Sequence, residues 1–285
     1  MERTIVLYHG GCPDGFGGAY AAWKKLGDSV EYLPLSRAKE PPVEHCRGAN
    51  LYFVDFCYPQ DIMDRFVEAA ASLTMLDHHE GMEDVIKNMP EYVYDTVRSG
   101  SGIAWEYFHP GTPLPKLLEH VQDDDLFTYT LPDTKAVITY LEVQPQDFAT
   151  WDAIAQKLDS PEELASILSR AKAYREYFEL LANMSADHAK LVSFEGYEIY
   201  FASTHSTMKS LVGNLLAKKH GPFALVASAH PDGYGMSIRG DGSIDVAKIA
   251  QKYGGNGHPN AAGFLIPRDG PFPWTTIPDD ATPLD

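Results

Sequence analysis

Leu73-Thr74-Met75-Leu76 runs directly into Asp77-His78-His79-Glu80. The first four residues read as a buried strand, and the polar residues after it must project at the rim of a sheet. Ligands bind at such strand ends in open α/β sheets. An acid followed by two imidazoles suits a metal, because a ligating histidine is usually oriented by a carboxylate. Two further apolar runs end on hard donors. Ile5-Val6-Leu7-Tyr8 is followed by His9 and, across a glycine-rich turn, by Asp14, while Leu51-Tyr52-Phe53-Val54 ends on Asp55. Each group alone is also what an ordinary polar turn contains; the repetition at three strand ends is what favours a metal. Gln122-Asp123-Asp124-Asp125 follows an apolar helix and precedes Leu126-Phe127, so at least one of these acids points inward and can supply a last ligand. Oxygen and imidazole donors in this number suit two divalent cations bridged by a carboxylate. They favour Mn2+, with Mg2+ or Fe2+ also compatible, over a Cys-rich zinc site.

The elements that must position these groups alternate. Strands are expected over 5–8, 30–35, 51–54 and 73–76, with helices over 17–25 and 61–71, and alternation implies a parallel sheet. The turn at 9–15 is neither GxGxxG nor a Walker loop, so a nucleoside-triphosphate site is disfavoured. Helices follow over 103–108, 114–121, 148–158 and 161–190; Ser160-Pro161-Glu162-Glu163 is a cap, a first-turn proline and two acids at the positive end of the dipole. A second lobe begins near Leu191. It holds strands over 197–202, 223–229, 235–239 and 264–266, and helices over 207–219 and 246–253. Between the last helix and strand lies Gly254-Gly255-Asn256-Gly257-His258-Pro259-Asn260-Ala261-Ala262-Gly263. Such a loop lets backbone N–H groups approach an anion, and Arg239 and His258 can add charge-assisted bonds to phosphate.

The expected fold class is therefore α/β in two lobes: an N-terminal parallel sheet with helices on both faces (1–142), a helical connector (143–190) and a smaller α/β domain (191–266). A Pro-rich tail (267–285) is expected to be extended and non-catalytic. The 285 residues carry 23 Lys and Arg against 40 Asp and Glu, a net charge of −17. That charge argues against long duplex DNA and against membrane surfaces, but not against a small anionic substrate, since bound cations reverse the local field. The three cysteines, Cys12, Cys46 and Cys57, form no CxxC and cannot all pair, which fits a reducing compartment. The apolar run at 5–7 is too short for a signal sequence, and no stretch approaches the ~20 apolar residues of a membrane span. A cytoplasmic location is the expectation.

Taken together, the segments resemble the DHH phosphoesterase superfamily, and the C-terminal lobe looks like its DHHA1 domain. The resemblance is to members of the nanoRNase and phosphoadenosine-phosphate phosphatase type, and more distantly to RecJ. It covers nearly the whole chain and is strongest at Leu76-Asp77-His78-His79 and at Gly254–Gly263, which match the DHH and GGGHxxAAG signatures in that order. The resemblance implies that His9, Asp14 and Asp55 hold one metal. It implies that Asp55, His78 and Asp123 hold the other, with Asp55 bridging. It further implies that His79 contacts the scissile phosphate, that Asp77 orients the imidazoles, and that Ser237, Arg239, Gly255, Asn256, Gly257 and His258 bind the substrate. The implied activity is metal-dependent hydrolysis of phosphoester bonds in short oligonucleotides or nucleotides, with a metal-activated water attacking phosphorus. The rivals are hydrolysis of a cyclic dinucleotide and a nucleotide-binding or regulatory protein that has lost catalysis. Two departures stand out. Phe16 occupies the place of the second acid in the family's Asp-x-Asp, and the glycine signature reads GGNGH.

Overall fold

The computed structural model describes residues 3–36 and 39–278; Arg37, in the patternless connection after the second strand, and residues 279–285 of the tail lie outside these. The chain divides into two compact units, Met1–Tyr174 and Arg175–Asp285.

In the first unit the elements run β1 (Thr4–His9), α1 (Pro13–Leu26), β2 (Glu31–Leu35), β3 (Asn50–Val54), α2 (Gln60–Ala69), β4 (Ser72–Asp77), α3 (Glu83–Lys87), β5 (Glu91–Tyr94), α4 (Gly100–Phe108), α5 (Lys116–Asp125), α6 (Thr134–Glu142) and α7 (Phe148–Leu158). The five strands are all parallel, in the order β2-β1-β3-β4-β5. Ile5, Val6 and Leu7 are fully buried, as expected of strands covered on both faces. Alternate side chains divide between two layers. Val6, Val54 and Leu76 pack with Tyr20, Ile103, Leu118 and Trp151. Ile5, Leu7, Phe53 and Met75 pack with Phe66 and Ile86. The chain leaves β1 for β2 on one side and returns to β3 on the other, which opens a crevice at the carboxyl ends of β1 and β3.

Helix α1 starts at Pro13, four residues before the sequence reading, because Pro at the first position is preset for a helix. Its glycines are there for clearance. A Cβ on Gly18 would lie 2.2 Å from Val54 Cγ1, and one on Gly15 would lie 2.3 Å from the His9 carbonyl oxygen. Phe16, on the same helix, is 2% exposed and sits 5.1 Å from the Phe148 ring and 4.9 Å from Trp151. Its ring belongs to the core, and the aromatic neighbours supplied by α7 explain why a ring is favoured there. Helix α7, read from sequence as part of a connector, buries Trp151, Ile154 and Leu158 in the first unit's core. The division between units falls within the next helix, α8 (Pro161–Asp187). Three elements of the first unit, α3, β5 and α6, had no counterpart in the sequence reading: α3 and β5 are only five and four residues long, and α6 is a nine-residue helix set between loops.

The second unit contains β6 (Lys190–Phe194), β7 (Tyr197–Ser203), α9 (Lys209–Lys219), β8 (Phe223–His230), β9 (Gly233–Gly240), α10 (Val246–Lys252), β10 (Asn256–His258), β11 (Ala261–Pro267) and β12 (Thr275–Thr276). Its seven strands lie in the order β10-β11-β9-β8-β7-β6-β12, with β7 and β8 parallel and the other neighbours antiparallel. One face packs on α10 through Val246, Ile249 and Ala250, the other on α9 through Val212 and Leu216. The described part of the tail includes the extended strand β12. Trp274 lies 4.6 Å from the Phe201 ring and β12 pairs with β6, since the tail's aromatic residues have apolar area to bury. Among the described residues no helix is long and apolar enough to cross a membrane.

Helix propensity alone would favour Ala at Gly18 by about 1 kcal/mol, but the contact with Val54 overrides it. We expect Gly18→Ala to destabilise the chain by about 1–3 kcal/mol. Combined with Val54→Ala, the loss should be smaller than the sum of the two single losses, as measured by urea denaturation of all four proteins.

Candidate metal centre

Three strand ends and two helices meet at the crevice. His9 closes β1, Asp55 follows β3, and Asp77 closes β4 with His78 and His79 beyond it. Asp14 enters from the first turn of α1, and Asp125 from the last residue of α5. Asp55 sits in the left-handed region at φ 58, a conformation that Asp tolerates better than most residues. Its N–H donates to the Leu76 carbonyl at 2.9 Å. Gly100 leaves room for it: a Cβ there would lie 2.5 Å from Asp55 Cβ and 2.9 Å from Asp14 Oδ2.

Ser99-Gly100-Ser101-Gly102 forms the cap and first turn of α4. Ser99 Oγ accepts from the Gly102 N–H at 3.3 Å, and the Ser101 N–H donates to Asp14 Oδ1 at 3.0 Å. A buried carboxylate at a helix N-terminus gains from the exposed N–H groups and the dipole.

Asp77 is fully buried. Its Oδ1 accepts from the backbone N–H of His78 at 2.7 Å, that of His79 at 2.9 Å, and the His79 ring Nδ1 at 2.7 Å. A carboxylate only accepts, so Nδ1 of His79 carries the hydrogen and Nε2 is left for another partner. Around this frame, His9 Nδ1 lies 3.3 Å from Asp55 Oδ2, and His78 Nε2 lies 3.3 Å from Asp55 Oδ1 and 3.4 Å from Asp125 Oδ2. Three triads result, each with its donor atoms within 4.8 Å of one another: His9, Cys12 and Asp55; Asp55, His78 and His79; Asp14, His78 and Asp125.

The electrostatics are those of crowded acids. Burial and then the neighbouring Asp55 push the Asp14 carboxyl above the usual carboxylate range. Burial, Asp14 and Asp55 do the same to Asp125. Burial would also raise Asp55, but His78, His9 and His79 overcome it and hold that group low. Burial would depress the His78 imidazole, and Asp55 and Asp125 lift it instead. Asp14 Oδ2, Asp55 Oδ1 and Asp125 Oδ2 are shielded from solvent with no hydrogen-bond partner among the described residues. Oxygens left bare at this cost are suited to a cation, and carboxylate with imidazole is the donor set of a hard or borderline divalent ion.

Of the residues expected from sequence, His9, Asp14, Asp55, His78 and His79 are brought together, and Asp77 holds the histidines. Asp14 falls with His78 and Asp125 rather than with His9. Asp123 is a correction: it does not reach the centre. Its Oδ1 accepts from Thr128 Oγ1 at 2.7 Å and from the Thr130 N–H at 2.8 Å, and its Oδ2 from Thr134 Oγ1 at 2.6 Å and the Leu131 N–H at 3.2 Å. These bonds tie down a loop in which Phe127, Tyr129 and Asp133 all have left-handed backbone. Asp125 takes the place expected of Asp123. Helical phase could have found it, because Asp125 lies seven residues after Leu118, on the side that packs toward Gly17 of α1. Cys12 was also missed; no spacing pattern flags a single thiol.

In the second unit Ser237 and Arg239 lie two apart on β9, hence on one face. Arg239 Nη2 donates to Ser210 Oγ at 2.8 Å, and burial depresses its guanidinium. Gly255 and Gly257 are sites of close approach: a Cβ on the first would lie 2.1 Å from the Gly263 carbonyl oxygen, and one on the second 2.4 Å from Ala262 Cα. Asn256, Gly257 and His258 form the exposed β10.

Residues 197–273 match the DHHA1 domain family. A solved DHH domain, from a member of a family of ribosomal proteins, matches in fold with a TM-score of 0.57 at 14% identity, over 92% of this chain and 82% of that one. The second unit thus carries a DHHA1 domain, and the chain shares its fold with a DHH-domain protein. RecJ from Thermus thermophilus, in complex with Mn2+, gives a TM-score of 0.51 at 14% identity; the alignment covers 93% of this chain but only 49% of RecJ. An uncharacterized protein of Acanthamoeba polyphaga mimivirus is 28% identical over 296 residues, covering 93% of this chain and 68% of the relative.

The two acids on α5 should separate cleanly. Asp123→Asn removes an acceptor from a buried network and should cost about 1–3 kcal/mol at neutral pH. Its hydrogen bonds outweigh burial and hold the carboxyl well below the usual range. The stability it contributes is therefore present above the unfolded value, near 3.9, and lost as pH falls through the folded value. The gap between wild type and Asp123→Asn in thermal denaturation should accordingly narrow below pH ~4. Asp125→Asn, by contrast, relieves like-charge crowding and should raise the melting temperature of chelator-treated protein.

Proposed function

We propose that this protein is a DHH–DHHA1 phosphoesterase, dependent on a divalent metal and acting on short oligonucleotides or nucleotides. The observation that carries the reading is the convergence of Asp14, Asp55 and Asp125, with bare buried oxygens, on the imidazoles of His9, His78 and His79 at the reversal point of a parallel sheet. Such a site has no stabilising use without a cation, since unpaired buried acids only cost free energy. Mn2+ is the proposed ion, with Mg2+ as an alternative.

His9 and Asp55 would hold a cation at one end, and Asp14, His78 and Asp125 at the other, with Asp55 shared. A divalent ion there supplies Lewis acidity toward a phosphoryl oxygen and lowers the pKa of water near neutral pH. His79, fixed by Asp77, presents Nε2 to a phosphoryl oxygen and, when protonated, donates to the charge that develops on it. Asp77 stabilises that protonated form, because its buried carboxylate faces the ring. In the second unit Ser237, Arg239, His258 and the N–H groups of Gly255, Asn256 and Gly257 are the proposed anion-binding groups. Phe16 does not count against this reading, since its ring is packed in the core.

The test is release of mononucleotide or phosphate from a panel: a two-to-five-nucleotide RNA ladder, 3′,5′-bisphosphoadenosine and cyclic dinucleotides, with Mn2+, Mg2+ or chelator. Hydrolysis should require the metal and should disappear in Asp55→Asn; full Mn2+-dependent turnover by that variant would refute the mechanism. Asp77→Asn, which loosens the histidines without removing a metal donor, should lower metal affinity or turnover by about 10–100-fold.

A further inference from the structure

We propose that Cys12 is a metal ligand, so that one end of the centre binds its cation through a thiolate. This rests on the metal-centre reading above and adds a chemical difference between its two ends.

Cys12 precedes α1 with extended backbone at φ −115 and makes no side-chain capping bond there. Its Sγ is grouped with one donor atom each of His9 and Asp55, all within 4.8 Å of one another. Asp55, in the same triad, is 2% exposed; its Oδ2 lies 3.3 Å from His9 Nδ1, while its Oδ1, which has no hydrogen-bond partner among the described residues, lies 3.3 Å from His78 Nε2. One thiol, one imidazole and one carboxylate make a borderline-soft set, while Asp14, His78 and Asp125 offer two carboxylates and one imidazole. Thiolate favours Zn2+, Co2+ or Fe2+ over Mg2+ and Mn2+, and the second set leans toward the harder ions. The two ends of the centre therefore sort cations by softness, with Asp55 common to both. On binding, the S–H bond of Cys12 breaks, its proton passes to solvent, and the sulfur lone pair forms the bond to the metal. No oxidation is involved.

Cys46 and Cys57 are buried, at 0% and 2% exposure, and Cys12 alone of the three cysteines is partly exposed. A thiol signal can therefore be assigned. The protein is stripped with chelator and loaded with Co2+, with bound cobalt quantified after dialysis. The loaded protein should show near-ultraviolet thiolate-to-cobalt charge-transfer absorption. The band should be lost in Cys12→Ser and in Cys12→Ala. In the wild type, Co2+ or Zn2+ should block alkylation of Cys12 by iodoacetamide, read by peptide mass, whereas Mg2+ should not. Cobalt bound without the band, the band retained in both variants, or alkylation unchanged by Co2+ and Zn2+ would each overturn the proposal. Mn2+-dependent hydrolysis with no thiolate band would overturn this inference and leave the proposed function standing. The band without hydrolysis of any substrate would do the reverse.

Discussion

Buried negative charge is the constraint around which the first unit is arranged. Asp14, Asp55 and Asp77 are almost wholly removed from solvent and Asp125 largely so, and like charges so close cannot all persist without compensation. The molecule meets this with fixed partners where a carboxylate orients something, and with bare oxygens where it does not. Asp77 commits one oxygen to two backbone N–H groups and an imidazole. Asp14 commits one oxygen to the first turn of α4. Asp14 Oδ2, Asp55 Oδ1 and Asp125 Oδ2 are left without hydrogen-bond partners among the described residues. The parallel sheet matters because it brings the ends of β1, β3 and β4 to one edge, and the glycines matter because they let α1 and α4 come close enough to complete the set.

Helix α5 shows how finely this is divided. Asp123 and Asp125 are two residues apart, yet one anchors a loop and the other joins the centre. Two residues turn a helix by about 200°, so neighbouring acids of identical chemistry face different surroundings. The loop after α5 needs three non-glycine residues in left-handed conformations, and the bonds to Asp123 are what offset that strain. Scaffold and centre thus share one helical turn, and a change made for either is felt by both.

Much of this was legible in the sequence because it depends on local order. Apolar runs ending on His9, Asp55 and Asp77 identify strands and their rim. Alternation with helices implies the parallel sheet, and Gly254–Gly263 marks a tight loop. The parts that were not legible depend on tertiary phase. Gly15 of α1 read as part of a turn, since its reason, the close approach to the His9 carbonyl, lies on another element. Phe16 read as a lost ligand because the aromatic residues that receive it are on α7. The choice of Asp123 over Asp125 failed because a run of three acids carries no orientation until the helix is followed back to Leu118. Short β5, β10 and β12 draw their stability from neighbours rather than from their own residues.

The sheets also have edges, and their construction bears on how the protein behaves when crowded with copies of itself. The second sheet is bounded by strands of three and two residues, β10 and β12. The first is bounded on one side by β2, which carries Pro34, and on the other by the four-residue β5. Proline removes a backbone donor from an edge, and a strand of two to four residues is a poor template for another chain. The long hydrophobic strands β1, β3, β4 and β8 are thereby kept interior. The folded protein offers little on which a cross-β stack could nucleate, so self-association through strand pairing would first require an edge strand to peel away.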